Sequence, residues 1–151
     1  MALLSYKLDR ISYDIGMINS FIEMVACGVK PLAISPPIDQ CDLPIMEEAS
    51  CEISKGFKTK FCVVESLMLT DIQSEEFTRG KNSILYYEDD AVIDSYFALK
   101  KRVDELAAQN SYNGFQRREI SIEFGRLLGY PEEKILYKVD SDVRIDPFVL
   151  K

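Results

Sequence analysis

Residues 4–25 read LSYKLDRISYDIGMINSFIEMV, and this stretch decides the architecture. Apolar residues return along it at steps of three and four positions, at Leu4, Leu8, Ile11, Ile15, Ile18, Ile22 and Val25. Such a spacing keeps apolar side chains on one side of a helix. We call these residues the apolar stripe, and we predict a helix from Leu3 to Cys27. Gly28 is its predicted stop, because glycine adopts the left-handed conformation at a helix end without steric penalty.

The apolar stripe needs a surface to pack against. A lone amphipathic helix cannot keep an apolar side in water, so the stripe must dock on the rest of the domain or on another chain. The length of this helix and of its stripe favours a homodimer in which the N-terminal helix pairs with its copy.

The remainder of the chain predicts a small sheet among further helices. Apolar runs predict strands at Val29–Ser35 and Ser83–Tyr87, and a third within Thr59–Thr70, where helical spacing fits as well. Helical spacing predicts four more helices, at Pro44–Lys55, Asp90–Gln109, Phe115–Leu128 and Pro131–Val139. We therefore expect one helix-rich domain over residues 1–151, α+β or α/β in class, with about five helices and about three strands.

Composition and charge exclude several classes of protein. The net charge of −7 over 151 residues makes an acidic surface, which repels phosphate backbones, so we expect no nucleic-acid partner. No stretch approaches the roughly twenty apolar residues of a membrane-spanning helix. Lys7, Asp9 and Arg10 interrupt the region where a secretion signal would be apolar. We therefore expect a cytoplasmic protein with no membrane partner.

Four cysteines form the first candidate site. Cys27, Cys41, Cys51 and Cys62 are separated by 14, 10 and 11 positions, with no Cys-x-x-Cys pair and no histidine to complete a metal site. Free cysteine behaves as a small hydrophobic residue, so we expect buried structural thiols. A four-cysteine metal site assembled from distant segments is the alternative.

Carboxylates form the second candidate site. Glu88, Asp89 and Asp90 follow a predicted strand, and ligands bind at that edge in open α/β sheets, where clustered carboxylates can hold magnesium. Glu65 interrupts an apolar run; if it were buried, its pKa would be raised, which is typical of functional sites. Glu65 or the carboxylates of Glu88, Asp89 and Asp90 would then serve a magnesium-dependent enzyme. In the structural alternative, Asp89 or Asp90 caps the next helix and Glu65 faces water.

The third candidate site is a corner between two predicted helices. Residues 123–131 read EFGRLLGYP, which resembles an E-x-G-x-x-L-G-Y-P box in uncharacterised prokaryotic families of small cytoplasmic proteins. Residues 28–31 read GVKP, which resembles a G-[IV]-K-P stretch upstream of that box in some of them. The resemblance implies no reaction, but it suggests that Glu123, Arg126 and Tyr130 form a site with the loop of Lys30. The structural alternative is a helix–turn–helix corner held by an ion pair.

The absence of catalytic motifs favours a binding protein. The chain has no histidine, and we find no phosphate loop and no nucleophile motif. The leading hypothesis is a non-catalytic binding or regulatory domain that recognises a small molecule or a protein near Lys30, Glu123, Arg126 and Tyr130. A magnesium-dependent enzyme and a four-cysteine metal protein are the alternatives. Convergence of the carboxylates in one concave pocket would favour the enzyme.

Overall fold

The computed structural model describes residues 4–142 and residue 150, and this part of the chain forms six helices and three strands. The predicted helix start at Leu3 lies outside the described residues. The helices are α1 (Arg10–Ala26), α2 (Leu43–Phe57), α3 (Glu75–Thr78), α4 (Asp90–Ala108), α5 (Gly114–Leu127) and α6 (Glu132–Asp140). The strands are β1 (Leu32–Ile34), β2 (Lys60–Val64) and β3 (Ser83–Tyr87). Within these described ranges, none of the helices has the length and apolar character needed to span a bilayer.

The three strands form one antiparallel sheet in the order β1-β3-β2. Tyr87 of the central strand β3 pairs with Leu32 on one side and with Lys60 on the other. An antiparallel sheet among helices makes the domain α+β, so the α/β alternative is wrong. The rule that ligands bind at the carboxyl edge of a parallel sheet therefore gives no support to Glu88, Asp89 and Asp90.

Helices cover both faces of the sheet. Successive strand residues point to opposite faces, so Ile84 and Tyr86 pack against α1 and α2, whereas Leu85 packs against the layer of α4, α5 and α6. The central strand is therefore buried on both sides. β2 is an edge strand, and Lys60 at its start is exposed.

Helix α1 begins at Arg10, seven residues later than predicted. The side chain of Asp9 accepts a hydrogen bond from the backbone N–H of Ser12 at 2.7 Å, which satisfies a donor that a helix start leaves unpaired. This cap places Leu4 and Leu8 ahead of the helix, and Leu4 is 41% exposed. The periodic apolar pattern therefore extends into residues that precede the helix and are not helical.

The helical part of the apolar stripe docks on its own domain. Ile18, Ile22 and Val25 are at most 2% exposed and pack with α2 and the sheet. Because one chain covers these residues, the physical reason for a dimer is removed. The homodimer itself stays a prediction.

Residues 65–74, after β2, have no regular structure, and tertiary hydrogen bonds hold their backbone. The N–H of Asp71 donates to Ser121 Oγ at 2.9 Å, and the hydroxyl of Tyr112 donates to the carbonyl of Leu69. Burial raises the pKa of Tyr112 to about 12, which keeps that hydroxyl protonated as a donor. The strand interpretation of Thr59–Thr70 is therefore confirmed as far as Val64, and the helical alternative is wrong.

Candidate functional site

The two segments that carry the sequence resemblance lie against each other. Gly129 has a φ of +78°, and a Cβ there would come within 3.3 Å of Lys30 Cα, Pro31 Cδ and the carbonyl oxygen of Val29. Only glycine combines this left-handed backbone with so close an approach at little cost. The α1–β1 loop is thus seated directly on the turn between α5 and α6.

Lys30 contacts both sides of the turn between α5 and α6. Its Nζ donates to the carbonyl of Leu128 and lies 4.7 Å from the centre of the Tyr130 ring. Nζ of Lys138 lies 5.6 Å from the same ring. Burial lowers the pKa of Lys30 and raises the pKa of Tyr130. The structure therefore brings Lys30 and Tyr130 together, in contacts that the folded chain itself satisfies.

Glu123 and Arg126 pair with other helices and not with each other. Arg102 of α4 donates to both oxygens of Glu123, at 3.1 and 3.2 Å. Arg126 makes a two-pronged pair with Glu132 of α6, at 2.5 and 3.1 Å. An ion pair does hold the α5–α6 corner, but its acid is Glu132.

Two open grooves flank Pro31, which lines both. One, of about 510 Å³, is lined by Lys30, Glu88 and Asp89. The other, of about 420 Å³, has Leu99 and Leu127 among its walls and is also lined by Arg102, Glu123 and Arg126. We call them the Pro31 grooves. They place three of the four predicted binding residues around one proline, whereas Tyr130 lines neither groove.

The predicted carboxylate site does not converge. Asp89 accepts a hydrogen bond from the N–H of Ala91 at 2.9 Å, so the capping interpretation is confirmed. Lys60 donates to Asp90 at 2.7 Å. Glu65 is exposed beyond the end of β2, and Glu88 is exposed on one of the Pro31 grooves. Among the described residues, no three acidic or cysteine side chains are grouped so that they could hold a metal ion.

The cysteines are free thiols at separate places. Cys27 and Cys41 are exposed, and Cys51 and Cys62 are partly buried, so the expectation of four buried thiols is wrong. Burial raises the pKa of Cys62, which disfavours its thiolate. The arrangement gives no support to a four-cysteine metal site.

A cavity that the sequence does not indicate is more enclosed than either Pro31 groove. It has a volume of about 250 Å³ and lies between α1, the β1–α2 loop, α2, α3 and the start of β3. Among the described residues, its apolar lining is Pro36, Pro37, Ile38, Met46, Phe77 and Leu150, and its charged lining is Arg10, Asp14, Asp39, Asp42, Glu76 and Lys81. We call it the Asp14 pocket.

Asp14 is the least satisfied group in this pocket. Its Oδ1 is shielded from solvent and has no hydrogen-bond partner among the described residues. Burial raises the pKa of Asp14, with Arg10 opposing the rise and Asp42 adding to it. The pocket therefore holds a carboxylate oxygen to which the described part of the chain supplies no donor.

Each of the two cations among the described lining residues has a hydrogen-bond partner other than Asp14. Lys81 donates to Asp39, and Arg10 donates to the carbonyl of Leu150 at 3.1 Å. The three remaining carboxylates, on Asp14, Asp42 and Glu76, form no ion pair with any residue in the described ranges. Sequence reasoning missed the pocket because its described lining comes from six separate segments. The one local signal is Asp14 itself, a carboxylate next to Ile15 at the border of the apolar stripe.

Comparison of the chain with protein-family models, with curated proteins and with solved structures finds no match. The resemblance carried by residues 28–31 and 123–131 therefore stays a prediction, and a function must be inferred from the pockets themselves.

Proposed function

We propose that this protein is a non-catalytic small-molecule-binding domain and that its ligand occupies the Asp14 pocket. One observation carries the proposal: Asp14 lines a concave cavity, and its Oδ1 is shielded from solvent and receives no hydrogen bond from the described residues. Leaving such an acceptor unsatisfied costs about 1–3 kcal/mol, which a donor on a ligand can recover. Ligand sites typically combine an apolar lining with a few polar groups, as this pocket does.

The lining supports recognition more than catalysis. Among the described lining residues there is no serine, threonine, cysteine or histidine, so a nucleophile paired with a base is missing there. The predicted carboxylate enzyme also loses its main support, because only Glu88 and Asp89 line the same groove, and Glu65 and Asp90 do not. The cytoplasmic location is likewise a proposal, and it rests on the sequence alone.

A thermal-shift screen of small molecules tests this function. A ligand that binds only the native state adds about 2.7 kcal/mol of stability when present at roughly 100 times its Kd. Glu76→Trp should block the pocket and abolish the shift. Glu75→Trp is the matched control, because Glu75 lies next to Glu76 on α3 and does not line the pocket. A screen without hits, or hits that Glu76→Trp leaves unchanged, would contradict the proposal.

The Pro31 grooves support a second candidate, recognition of a partner protein. The observation that favours it is that Lys30, Glu123 and Arg126 all lie around Pro31. Ala98→Trp would fill one groove from the exposed side of α4, and Ala107→Trp, on the same helix but outside both grooves, is its control. A binding partner whose affinity falls in Ala98→Trp and is unchanged in Glu76→Trp would favour this candidate over the Asp14 pocket.

The homodimer through α1 is also a proposal. Support comes from a groove of about 290 Å³ on the outer side of the helix, whose lining includes Tyr13, Gly16, Met17 and Ser20. Light scattering at high concentration should give the mass of a dimer. Met17→Lys should give a monomer, and Asn19→Lys, which lies outside the groove, should not. A monomeric wild-type protein would end this proposal.

A further inference from the structure

The four asparagines of the chain differ in the residue that follows them. Three of them precede serine, at Asn19, Asn82 and Asn110, whereas Asn113 precedes glycine. The side-chain amide of an asparagine can be attacked by the backbone nitrogen of the next residue, which closes a ring and releases ammonia. Glycine hinders this attack least, because it has no Cβ beside the attacking nitrogen.

The fold leaves the pair of Asn113 and Gly114 open to this reaction. Both residues are exposed, in the connection between α4 and α5. Gly114 is the first residue of α5, where a helix supplies no acceptor for the N–H, and among the described residues its N–H makes no hydrogen bond. The side chain of Asn113 makes no capping hydrogen bond to α5, and its Nδ2 donates to the carbonyl of Asn110 at 3.2 Å. The attacking nitrogen is therefore unoccupied, and the amide carbon is not held away from it by a cap.

Folding protects the other three asparagines. The N–H of Ser111 donates to the carbonyl of Leu106 at 2.7 Å, so the nitrogen after the third Asn-Ser pair is occupied. Ser20 lies within α1, where its N–H belongs to the helical hydrogen bonding. Asn82 is 8% exposed, and Ser83 in the central strand is 5% exposed. The Asn-Ser pairs are thus closed by the fold, and the Asn-Gly pair is not.

We propose that Asn113 is a self-modification site, at which the chain converts asparagine into aspartate and isoaspartate. The backbone nitrogen of Gly114 forms a bond to Cγ of Asn113, the bond from Cγ to Nδ2 breaks, and the proton of the Gly114 nitrogen leaves with Nδ2 as ammonia. Water then opens the cyclic imide at one of its two carbonyl carbons, to which it gives its hydroxyl group while its second hydrogen goes to the ring nitrogen. Opening at Cγ gives aspartate, and opening at the backbone carbonyl carbon gives isoaspartate. The site is independent of the proposed function, because neither residue lines the Asp14 pocket.

The two products should act on α5 in opposite directions. Aspartate places a carboxylate at the positive end of the helix dipole, where negative charge is stabilising. Isoaspartate lengthens the backbone by one methylene and displaces the carbonyl of residue 113, which accepts a hydrogen bond from the N–H of Arg117 at 3.3 Å. The reaction therefore changes the stability of the helix that carries Glu123 and Arg126.

Peptide mapping of the full chain after incubation in mildly alkaline buffer tests the site. Mass spectrometry with fragmentation measures the mass gain of deamidation at each asparagine. In the folded protein, Asn113 should react at least about ten-fold faster than Asn110, which corresponds to a barrier lower by about 1.4 kcal/mol. A rate at Asn113 that does not exceed the rate at Asn110 would overturn the proposal.

The same measurement in denaturing urea separates the fold from the sequence. Unfolding should accelerate the reaction at Asn19, Asn82 and Asn110, because their protection is lost, and should change the rate at Asn113 least. If folding slowed Asn113 as strongly as the other three, the structure would not leave this site open, and the proposal would fail.

Two pairs of variants assign the chemistry and its effect. Gly114→Ala should slow the reaction at Asn113 severalfold, in buffer and in urea, because a Cβ then flanks the attacking nitrogen. Gly80→Ala, at another glycine of positive φ, is the control and should leave the rate unchanged. Equal rates in the two variants would exclude Gly114 as the attacking residue. Asn113→Asp should raise the midpoint of thermal unfolding, whereas Asn110→Asp, at the negative end of α4, should lower it. A lower midpoint in Asn113→Asp would contradict the stabilising effect of the aspartate product.

Discussion

Lys30 and Leu128 are joined by a hydrogen bond from the lysine Nζ to the backbone carbonyl, across 98 residues of chain. The bond ties the loop after α1 to the last turn of α5. It satisfies a carbonyl that the end of a helix leaves without a partner. The contact between the α1–β1 loop and the α5–α6 turn therefore stabilises the fold, independently of any ligand in the Pro31 grooves.

Lys30→Met should lower the free energy of unfolding by about 1–3 kcal/mol, because Leu128 loses its donor in a half-buried place. Methionine keeps most of the apolar length of lysine. Lys134→Met, on the exposed side of α6, is the control and should change little. Urea denaturation measures both. Equal stabilities of the two variants would show that the hydrogen bond between Lys30 and Leu128 contributes nothing.

Gly129→Ala should destabilise the protein more than Gly28→Ala. Both glycines have left-handed backbones, with φ of +78° and +75°, so each substitution costs roughly 1–2 kcal/mol for conformation. A Cβ at Gly28 meets nothing within 4 Å, whereas one at Gly129 meets Lys30, Pro31 and Val29 at 3.3 Å. The difference between the two losses, measured by thermal unfolding, isolates the close approach. Equal losses would contradict it.

Alanine substitutions at two helical glycines should have opposite signs. Gly16→Ala should stabilise the protein by up to about 1 kcal/mol, because alanine favours helix and a Cβ meets nothing within 4 Å. Gly125→Ala should destabilise it by about 1–3 kcal/mol, because the Cβ would lie 2.9 Å from Cγ1 of Ile135. Ile135 is completely buried and cannot swing away. A stabilising Gly125→Ala, in the same denaturation series, would refute the contact.

The buried pair of Tyr86 and Ser50 should be coupled. Their hydroxyl oxygens are 2.7 Å apart inside the layer between α2 and the sheet. Tyr86→Phe and Ser50→Ala should each cost about 1–3 kcal/mol, because each leaves one buried hydroxyl alone. The double variant should lose less than the sum of the two. Strict additivity in this cycle would mean that the hydrogen bond contributes nothing.

The pH dependence of the free energy of unfolding should show the raised pKa of Asp14. Burial raises its pKa in the folded state above the ordinary value of 3.8, so the folded state binds the proton more tightly than the unfolded state does. This contribution is fully present below that value and is lost as pH rises through the folded-state pKa. Asp14→Asn should therefore gain stability relative to wild type as pH rises above 3.8 and through the folded-state pKa. Parallel pH profiles of the two proteins would exclude the effect.

Several elements could be predicted from the sequence because their signals are local. β3 was predicted at its observed bounds, Ser83–Tyr87, and the helix predicted at Asp90–Gln109 is observed at Asp90–Ala108. Both have strong periodicity, and Asp89 caps the helix. The predicted helix ends were wrong where a cap or a left-handed residue overrode the periodic pattern. Asp9 caps α1 and overrides the upstream leucines. Lys58 adopts the left-handed conformation that ends α2, so the helix runs to Phe57, two residues past its predicted end at Lys55.

The candidate sites divide in the same way. The sequence predicted that Lys30 and Tyr130 lie close together, because two short segments that contain them carry one resemblance. The structure brings the two residues into contact. Nothing local linked Asp14 to Asp42 or Glu76. Their carboxylates line one cavity only because α1, α2 and α3 pack around it.

The sequence by itself determined most of the helices and strands and which of their sides are apolar, although it did not predict α3 and left β2 open between strand and helix. These properties follow from residue spacing and caps, which act over a few neighbouring positions. The tertiary structure alone decided that the sheet is antiparallel, that the apolar stripe is covered within one chain, and that Asp14 lines a pocket. Each of these depends on which distant surfaces pack together, and that choice is made by the burial and hydrogen bonding of the whole chain at once.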